Sequence, residues 1–183
     1  MDHKKDIDPD KVSVEMHDWV ENFVIHHGLC PFARAPFQAG KIRFSVSMAS
    51  NEQQLAEDLL VEIQQLSRTP SNETETTLLI HPCVLSDFQQ YNDFLDVVDT
   101  LLEDSGLVGL IQVASFHPDY CFADCDEDDI ANATNRSPWP MLHLLREKSI
   151  TEAVADWQNK GLDVSMIPER NIDYLRKLEK EQD

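Results

Sequence analysis

The sequence has 183 residues, of which 42% are hydrophobic, and its 15 basic and 34 acidic residues give a formal net charge of −19. This length suits one domain with a complete core, and the apolar fraction is typical of a folded globular protein. So large a negative charge opposes binding to nucleic-acid phosphates or to an anionic membrane surface, and we expect neither partner.

The sequence also argues against membrane insertion and secretion. No apolar run reaches the about 18 residues that a membrane-spanning helix needs, and residues 1–8 lack the apolar stretch of a signal peptide. We therefore expect a cytoplasmic protein whose four cysteines remain reduced thiols. No two of them form a C-x-x-C motif, which disfavours a thioredoxin-like pair or a zinc ribbon.

A helix, a strand and a second helix are predicted first. From Lys11 onward, apolar residues recur at three- and four-residue steps, and Gly28 suits the left-handed conformation that ends a helix. Residues 41–48 alternate apolar and polar side chains like a half-exposed strand. Asn51 is placed to cap the helix that follows.

Two further strands are predicted in the middle of the chain. Residues 76–80 are rich in β-forming side chains and end at His81-Pro82, and a third helix begins at Ser86. Residues 107–116 form the longest apolar run, which predicts a central strand that is buried on both faces.

The last third of the chain is predicted to be mainly helical. A helix is expected over residues 138–148, because Ser137 suits the capping position and proline the first helical position. Another helix is expected over residues 149–160, with a candidate fourth strand at 162–167 and a final helix from Pro168.

The alternation of strands and helices predicts an α/β fold over residues 1–183, in a single layered domain. We expect a small, mainly parallel sheet of three to four strands flanked by about six helices, with loose tails at 1–10 and 179–183. The alternative is an α+β domain of the ferredoxin-like type. It ranks second because no tight hairpin signal such as Asn-Gly separates the strand candidates.

Two of the predicted strands end in the same His-Pro pair, at His81 and at His117. Parallel strands bring their carboxyl ends to one edge of a sheet, where open α/β sheets bind ligands. Proline does not continue a central strand, so the histidine stays at that edge. The repetition predicts that both histidines act there in proton transfer, although polar residues that merely end strands explain it equally well.

The helix expected after Ser137 predicts an anion site. Unpaired amide groups at a helix start attract negative charge, and Arg136 and Asn135 precede this start. We therefore expect the phosphate or carboxylate of a small molecule to bind there; alternatively, Arg136 pairs with a surface carboxylate. Further ligand contacts are expected from Arg34, Tyr120 and Arg146.

Two more side chains are candidates for chemistry. On the expected helix, His143 lies off the apolar face with Glu147 one turn later, which favours a second proton carrier as much as an ordinary surface histidine. Cys30 follows a helix end and has Arg34 nearby, so a lowered thiol pKa would make it a nucleophile. A buried apolar cysteine is the more common explanation.

A metal site is the alternative use of the histidines. His81, His117 and His143 would form a three-histidine site with an open position, although their spacing matches no tight metal motif. Residues 124–129 match a calcium loop only in part, so we expect a solvated loop there. The sequence contains neither a dinucleotide fingerprint nor a P-loop and identifies no cofactor.

Four stretches together resemble a known family: Gly-Leu-Cys-Pro-Phe-Ala (28–33), Gln-Val-Ala-Ser-Phe-His-Pro (112–118), Thr-Asn-Arg-Ser-Pro (134–138) and Leu-His-Leu-Leu-Arg-Glu (142–147). They are similar to the domain-of-unknown-function family 1415, which is found chiefly in bacteria. The resemblance covers nearly the whole chain and implies a single-domain intracellular protein. It implies no activity.

Three functional hypotheses follow from the residues. The first is a hydrolase or group transferase that acts on a small anionic metabolite, with His117 and either His81 or His143 moving protons and Cys30 as a candidate nucleophile. The second is a metal-binding protein or metal-dependent hydrolase that uses the three histidines. The third is a non-catalytic ligand-binding or adaptor module. The sequence favours no particular oligomeric state.

Overall fold

The computed structural model describes residues 7–182 of the chain, with side chains up to Lys180. Its helices are α1 (Pro9–Trp19), α2 (Arg34–Gln38), α3 (Glu52–Arg68), α4 (Phe88–Asp104), α5 (Glu147–Asn159) and α6 (Ile167–Gln182). Its strands are β1 (Ile42–Val46), β2 (Thr76–Ile80), β3 (Ile111–Phe116) and β4 (Met141–Arg146). A π-helical segment at Val20–Ile25 extends α1, and short 3₁₀ turns lie at Ile130–Thr134 and Val164–Met166.

The four strands form one mixed sheet in the order β1-β2-β4-β3. β1 and β2 are parallel, and β4 is antiparallel to both of its neighbours. β2 and β3 therefore run in the same direction, and their carboxyl ends lie at the same edge of the sheet. The α/β prediction is confirmed. The expectation of a mainly parallel sheet is wrong, because two of the three strand pairings are antiparallel, and an α+β description therefore also fits this mixed sheet.

Helices cover both faces of the sheet. On one face, α3 and α4 enclose a core that includes Leu55, Leu59, Ile63, Leu79, Phe94, Val98, Leu142 and Leu144. On the other face, α1 and its π-helical extension enclose a second core that includes Val12, Met16, Val20, Leu78, Ile80 and Met141. Successive residues of a strand point to opposite faces, so this division assigns a face to every strand residue near the site.

Local sequence signals predict several elements correctly. The strand predicted at 76–80 is β2, and the strand predicted at 41–48 contains β1. The Asn51 side chain accepts a hydrogen bond from the Gln54 amide and caps α3, as predicted. Gly28 has the expected positive φ of 65°. None of the helices within residues 7–182 combines the length and the apolar character that a membrane crossing requires.

The largest correction concerns residues 138–148, which do not form a helix. Residues 141–146 are strand β4, which pairs with β2 on one side and β3 on the other. The Ser137 hydroxyl donates to the Trp139 carbonyl rather than capping a helix, and the next helix, α5, begins at Glu147. A short apolar run fits a buried strand or a buried helix equally well, and here the sheet determines the outcome.

Three smaller predictions are also wrong. The run at 107–116 contains β3, but β3 is a partly exposed edge strand, because β4 occupies the central place. Residues 162–167 hold a 3₁₀ turn instead of a fourth strand. Residues 9–10 and 179–182 belong to α1 and α6 rather than to loose tails, while residues 1–6 and 183 lie outside the described residues.

Candidate functional site

His81 and His117 follow β2 and β3 directly, and both side chains are completely buried. Since β4 separates their strands, it is Tyr91 of α4 that brings them together. The ring centroids of His81 and Tyr91 are 5.7 Å apart, and those of Tyr91 and His117 are 5.1 Å apart. We call His81, Tyr91 and His117 the carboxyl-edge cluster.

The His81 ring is a neutral imidazole with one uncommitted nitrogen. Its Nδ1 lies 3.0 Å from the Val84 carbonyl oxygen, so Nδ1 carries the proton and donates it. Burial lowers the pKa of His81 to about 4, with a smaller contribution from His117, although the Val84 carbonyl opposes this shift. Nε2 therefore has a free lone pair, and it is buried without a hydrogen-bond partner in the described part of the chain.

The His117 ring, in contrast, uses both of its nitrogens. Nε2 donates to the Leu85 carbonyl oxygen at 3.1 Å, and Nδ1 accepts the Asp119 amide at 3.0 Å. Burial lowers the pKa of His117, against the opposing effects of the Leu85 carbonyl and of the carboxylates of Asp119 and Asp87. This ring is neutral as well, but neither nitrogen is free for a ligand.

The two histidines hold the loop formed by residues 82–85. They bind the adjacent carbonyl groups of Val84 and Leu85. Leu85 has a positive φ of 57°, which is uncommon for any residue other than glycine, and this left-handed conformation costs about 1 kcal/mol. Its buried side chain is part of the α3–α4 core, which helps to hold the loop in this conformation.

Tyr91 is a functional candidate that sequence reasoning missed. Its hydroxyl donates to the Met141 carbonyl at 2.8 Å and accepts the Phe116 amide at 3.0 Å, so it bridges β3 and β4 where their pairing ends. Burial raises the pKa of Tyr91. In the sequence this tyrosine follows the apolar spacing of a helix, and nothing in that pattern reveals a buried hydroxyl with two partners.

His143 lies on the other face of the sheet. It alternates with Leu142 and Leu144, which face α3 and α4, so its ring faces the α1 side and lies 6.2 Å from the Phe116 ring. Thr76 donates its hydroxyl proton to the Leu144 carbonyl, and His143 Nε2 therefore donates to that hydroxyl at 2.8 Å. Burial lowers the pKa of His143 to about 4.

This position removes the predicted three-histidine metal site, because His143 and the carboxyl-edge cluster lie on opposite faces. Within residues 7–182, no group of three or more His, Cys, Asp or Glu side chains is arranged to hold a metal ion. The expected partnership of His143 with Glu147 on a helical surface is also wrong, since His143 is a strand residue.

The residues of the predicted anion site hold backbone groups instead. Arg136 donates from Nε to the Tyr120 carbonyl at 3.1 Å and from Nη2 to the Glu127 carbonyl at 2.6 Å. Asn135 donates its amide to the Ser115 carbonyl at 3.1 Å. The segment directly after Ser137 leads into β4 and not into a helix, so the helix dipole on which this prediction depended is absent from that position.

The other predicted ligand contacts lie elsewhere. Arg34 donates to the Ile25 carbonyl at 3.1 Å. Arg146 lies at the opposite end of the sheet, beside Ile111, and its Nη2 donates to the carbonyls of Leu66 at 2.7 Å and Thr74 at 2.9 Å. The expected low thiol pKa is not found, since burial raises the pKa of Cys30 against two opposing backbone hydrogen bonds.

A protein family described as "Protein of unknown function (DUF1415)" matches residues 11–183. The chain belongs to the DUF1415 family. Comparisons with curated proteins and with solved structures give no significant match. Membership confirms the resemblance seen in the sequence and brings no activity with it, so the function of this DUF1415 protein has to be argued from its geometry.

A second polar network of the DUF1415 chain joins β1 to α3. Arg43 donates from Nε and Nη2 to the two carboxylate oxygens of Glu62, at 2.8 and 2.9 Å, and Ser45 donates to the same carboxylate at 2.8 Å. Burial alone would raise the pKa of Glu62, but these hydrogen bonds and the Arg43 charge outweigh it and lower that pKa. The network lies beside a cavity of about 300 Å³ between β1 and α3.

Proposed function

We propose that this DUF1415 protein is a cytoplasmic enzyme, a hydrolase or group transferase, that uses the neutral imidazole of His81 as a general base on a small metabolite. The observation that carries the proposal is the buried lone pair of His81 Nε2. Buried polar atoms in folded proteins nearly always have a partner, so an exception needs an explanation, and a catalytic role is one such explanation. The carboxyl end of β2 is also the edge where open α/β sheets bind ligands.

The other cluster members would position this base. Tyr91 packs against the His81 ring while its hydroxyl is fixed between β3 and β4. His117 holds the Leu85 carbonyl and, with it, the loop beside His81. Both roles keep the Nε2 lone pair of His81 in one orientation, which is what a general base requires.

The surroundings favour an uncharged or cationic substrate over the anionic metabolite expected from the sequence. The guanidinium groups of Arg136 and Arg146 donate hydrogen bonds to backbone carbonyls. The carboxylates of Asp87 and Asp119 lie close enough to His117 to act on its pKa. A negative field of this kind opposes the entry of a phosphate or carboxylate group.

Substrate access requires the loop at residues 82–85 to move, because Nε2 of His81 is shielded from solvent. In the closed state, an imidazole with a pKa of about 4 is a weak base. Opening the loop would rehydrate the ring and return its pKa toward about 6.5. We therefore expect activity to rise with pH through about 6 rather than through 4.

The test uses a variant that removes only the free nitrogen. In His81→Asn, the side-chain amide replaces Nδ1 and keeps a donor for the Val84 carbonyl, while the position of Nε2 is emptied. The matched control is His143→Gln, whose amide keeps a donor for the Thr76 hydroxyl on the other face. Each protein is incubated with a mixture of cellular metabolites, and conversion is followed by mass spectrometry.

We expect the wild-type protein and His143→Gln to convert the same metabolite at similar rates, and His81→Asn to be slower by about 100-fold or more. Conversion that survives His81→Asn would contradict the proposal. Binding of a metabolite without conversion by the wild-type protein would favour the second candidate, a non-catalytic binding module. That candidate draws support from the closed hydrogen bonding of His117, which leaves one free nitrogen in the cluster.

A further inference from the structure

β1 is an edge strand with an open side. Ser47 donates its amide to the Ile80 carbonyl at 2.7 Å, so the odd-numbered residues of this segment face β2. By alternation, the amide and carbonyl groups of Ile42, Phe44 and Val46 point away from the sheet. In the described part of the chain, none of these outward groups makes a hydrogen bond.

The opposite edge of the sheet is better covered. On β3, the outward carbonyl of Ser115 accepts the Asn135 side-chain amide, and the His117 amide beyond the strand donates to the Asn135 carbonyl. Asn135 therefore closes the carboxyl end of this edge. Because uncovered strand edges readily pair with another strand, β1 is the stronger candidate for an interface.

Exposed apolar side chains lie beside the open edge. Met48 and Val61 are 46% and 59% exposed and border the cavity of about 300 Å³ between β1 and α3. The carboxylate of Asp58 borders the same cavity and accepts the Ser47 hydroxyl at 2.6 Å. Among the described side chains, no cation lies within ion-pair distance of Asp58.

We propose that the occupant of this edge is a second copy of the chain, whose β1 pairs antiparallel with the first across a two-fold axis at Phe44. Phe44 is the one centre that pairs all three outward residues, because Ile42 then lies opposite Val46 of the second copy and Phe44 lies opposite itself. Each of these pairs has its hydrogen-bonding groups facing the other strand. The interface is isologous, as two-fold symmetry requires.

Charge complementarity favours a second copy over an unrelated strand. In this register, Lys41 lies opposite Ser47 of the second copy, and that serine is hydrogen-bonded to Asp58. Lys41 is an odd-numbered residue and falls on the α3 side, the same side as the carboxylate. The strand thus brings its own cation, twice per dimer, to a carboxylate that pairs with no cation among the described side chains.

The net charge of −19 on each copy opposes this association. Salt screens such long-range repulsion over about 8 Å at physiological ionic strength, whereas groups in direct contact are affected less. We therefore expect the dimer to tighten when salt is raised from low concentration to about 0.15 M.

The experiment measures the dimer dissociation constant of the full chain by sedimentation equilibrium. Val61→Glu places a charge beside β1, and Val108→Glu places one at a similarly exposed valine (64%) that precedes β3. We expect Val61→Glu to weaken association at least about tenfold, which corresponds to about 1.4 kcal/mol, and Val108→Glu to leave it unchanged. Thermal unfolding shows whether each variant is folded.

A charge exchange tests the register. Lys41→Asp and Asp58→Lys should each weaken the dimer, and the double variant should restore it, because the pair is rebuilt with reversed sign. A wild-type chain that stays monomeric up to about 0.1 mM would overturn the proposal. This holds even if the monomer binds a basic peptide, because the occupant of the edge would then not be a second copy. So would disruption by Val108→Glu alone, since that would assign the interface to the β3 edge.

Discussion

At both ends of the sheet, side-chain donors bind backbone carbonyl groups. At the carboxyl ends of β2 and β3, His81 and His117 donate to carbonyl groups of one loop. At the opposite end, Arg146 donates to the carbonyls of Leu66 and Thr74 and so ties the end of α3 to the segment before β2. In both places, a side chain donor fixes backbone that regular structure leaves unpaired.

The two ends differ in whether the side chain keeps an acceptor atom that has no hydrogen-bond partner. Arg146 has only donors, and it directs them to the carbonyls of Leu66, Thr69 and Thr74. His81 uses one nitrogen and leaves the other, a buried acceptor, without a partner among the described residues. The hydrogen bonds of Arg146 are accounted for by its role in holding the backbone, whereas the unpaired nitrogen of His81 has no such role.

The largest predicted effect concerns Arg146. Arg146→Met keeps most of the apolar side chain but leaves the carbonyls of Leu66, Thr69 and Thr74 without their charged donor. We expect the free energy of unfolding, measured by urea denaturation, to fall by about 3 kcal/mol. The control Arg176→Met, at an exposed position, should change it by less than about 0.5 kcal/mol. Equal effects of the two variants would contradict a clamp at residue 146.

The next largest effect concerns the Tyr91 hydroxyl in the carboxyl-edge cluster. Tyr91→Phe removes the hydroxyl that joins the Phe116 amide to the Met141 carbonyl and leaves both groups buried. We expect a loss of about 2 kcal/mol in the same measurement. Tyr120→Phe is the control, since the Tyr120 hydroxyl lies 3.4 Å from the Ser115 hydroxyl. Its removal should lower the free energy of unfolding by less than about 1 kcal/mol. A loss at Tyr91 no greater than at Tyr120 would remove the tyrosine from the framework of the cluster.

The sequence predicts the parts of this fold whose signals are local. The alternation in β1, the β-rich run of β2 and the cap at Asn51 each depend on a few neighbouring residues. β4 could not be predicted in this way, because its six apolar-rich residues follow Ser137 and Pro138, which are typical of a helix start. The pairing partners that make it a strand are about 30 and 65 residues away in the chain.

The same distinction separates the site predictions. The placement of His81 and His117 at one edge depended only on their following strands of the same direction, which the sheet has. The roles given to His143, Arg136 and Arg146 depended on a helix over 138–148, and they changed when that segment became β4. Tyr91 was missed because a buried hydroxyl and an ordinary helical core position have the same spacing in a sequence.

The smallest predicted effect tests the protonation of His81, with Arg146 at the other end of the sheet as the comparison. The pKa of His81 is lowered to about 4 in the folded protein, from about 6.5 in the unfolded chain. Between these values the unfolded chain binds a proton that the folded protein does not bind, so stability is fully present above pH 6.5 and falls as the pH drops toward 4. We expect His81 to account for a loss of roughly 1 to 2 kcal/mol between pH 7 and 5.

Urea denaturation at a series of pH values separates the two ends of the sheet. For His81→Asn, the difference in stability from wild type should shrink as the pH falls, because the variant lacks the titrating ring. For Arg146→Met, the difference should stay constant over the same range, since the variant keeps His81 and loses the same stability as the wild type. His143 has a similarly lowered pKa and remains in both variants, so its contribution cancels. Parallel curves for His81→Asn and wild type would mean that His81 is not held neutral, and the general base proposed at the carboxyl edge would lose its physical basis.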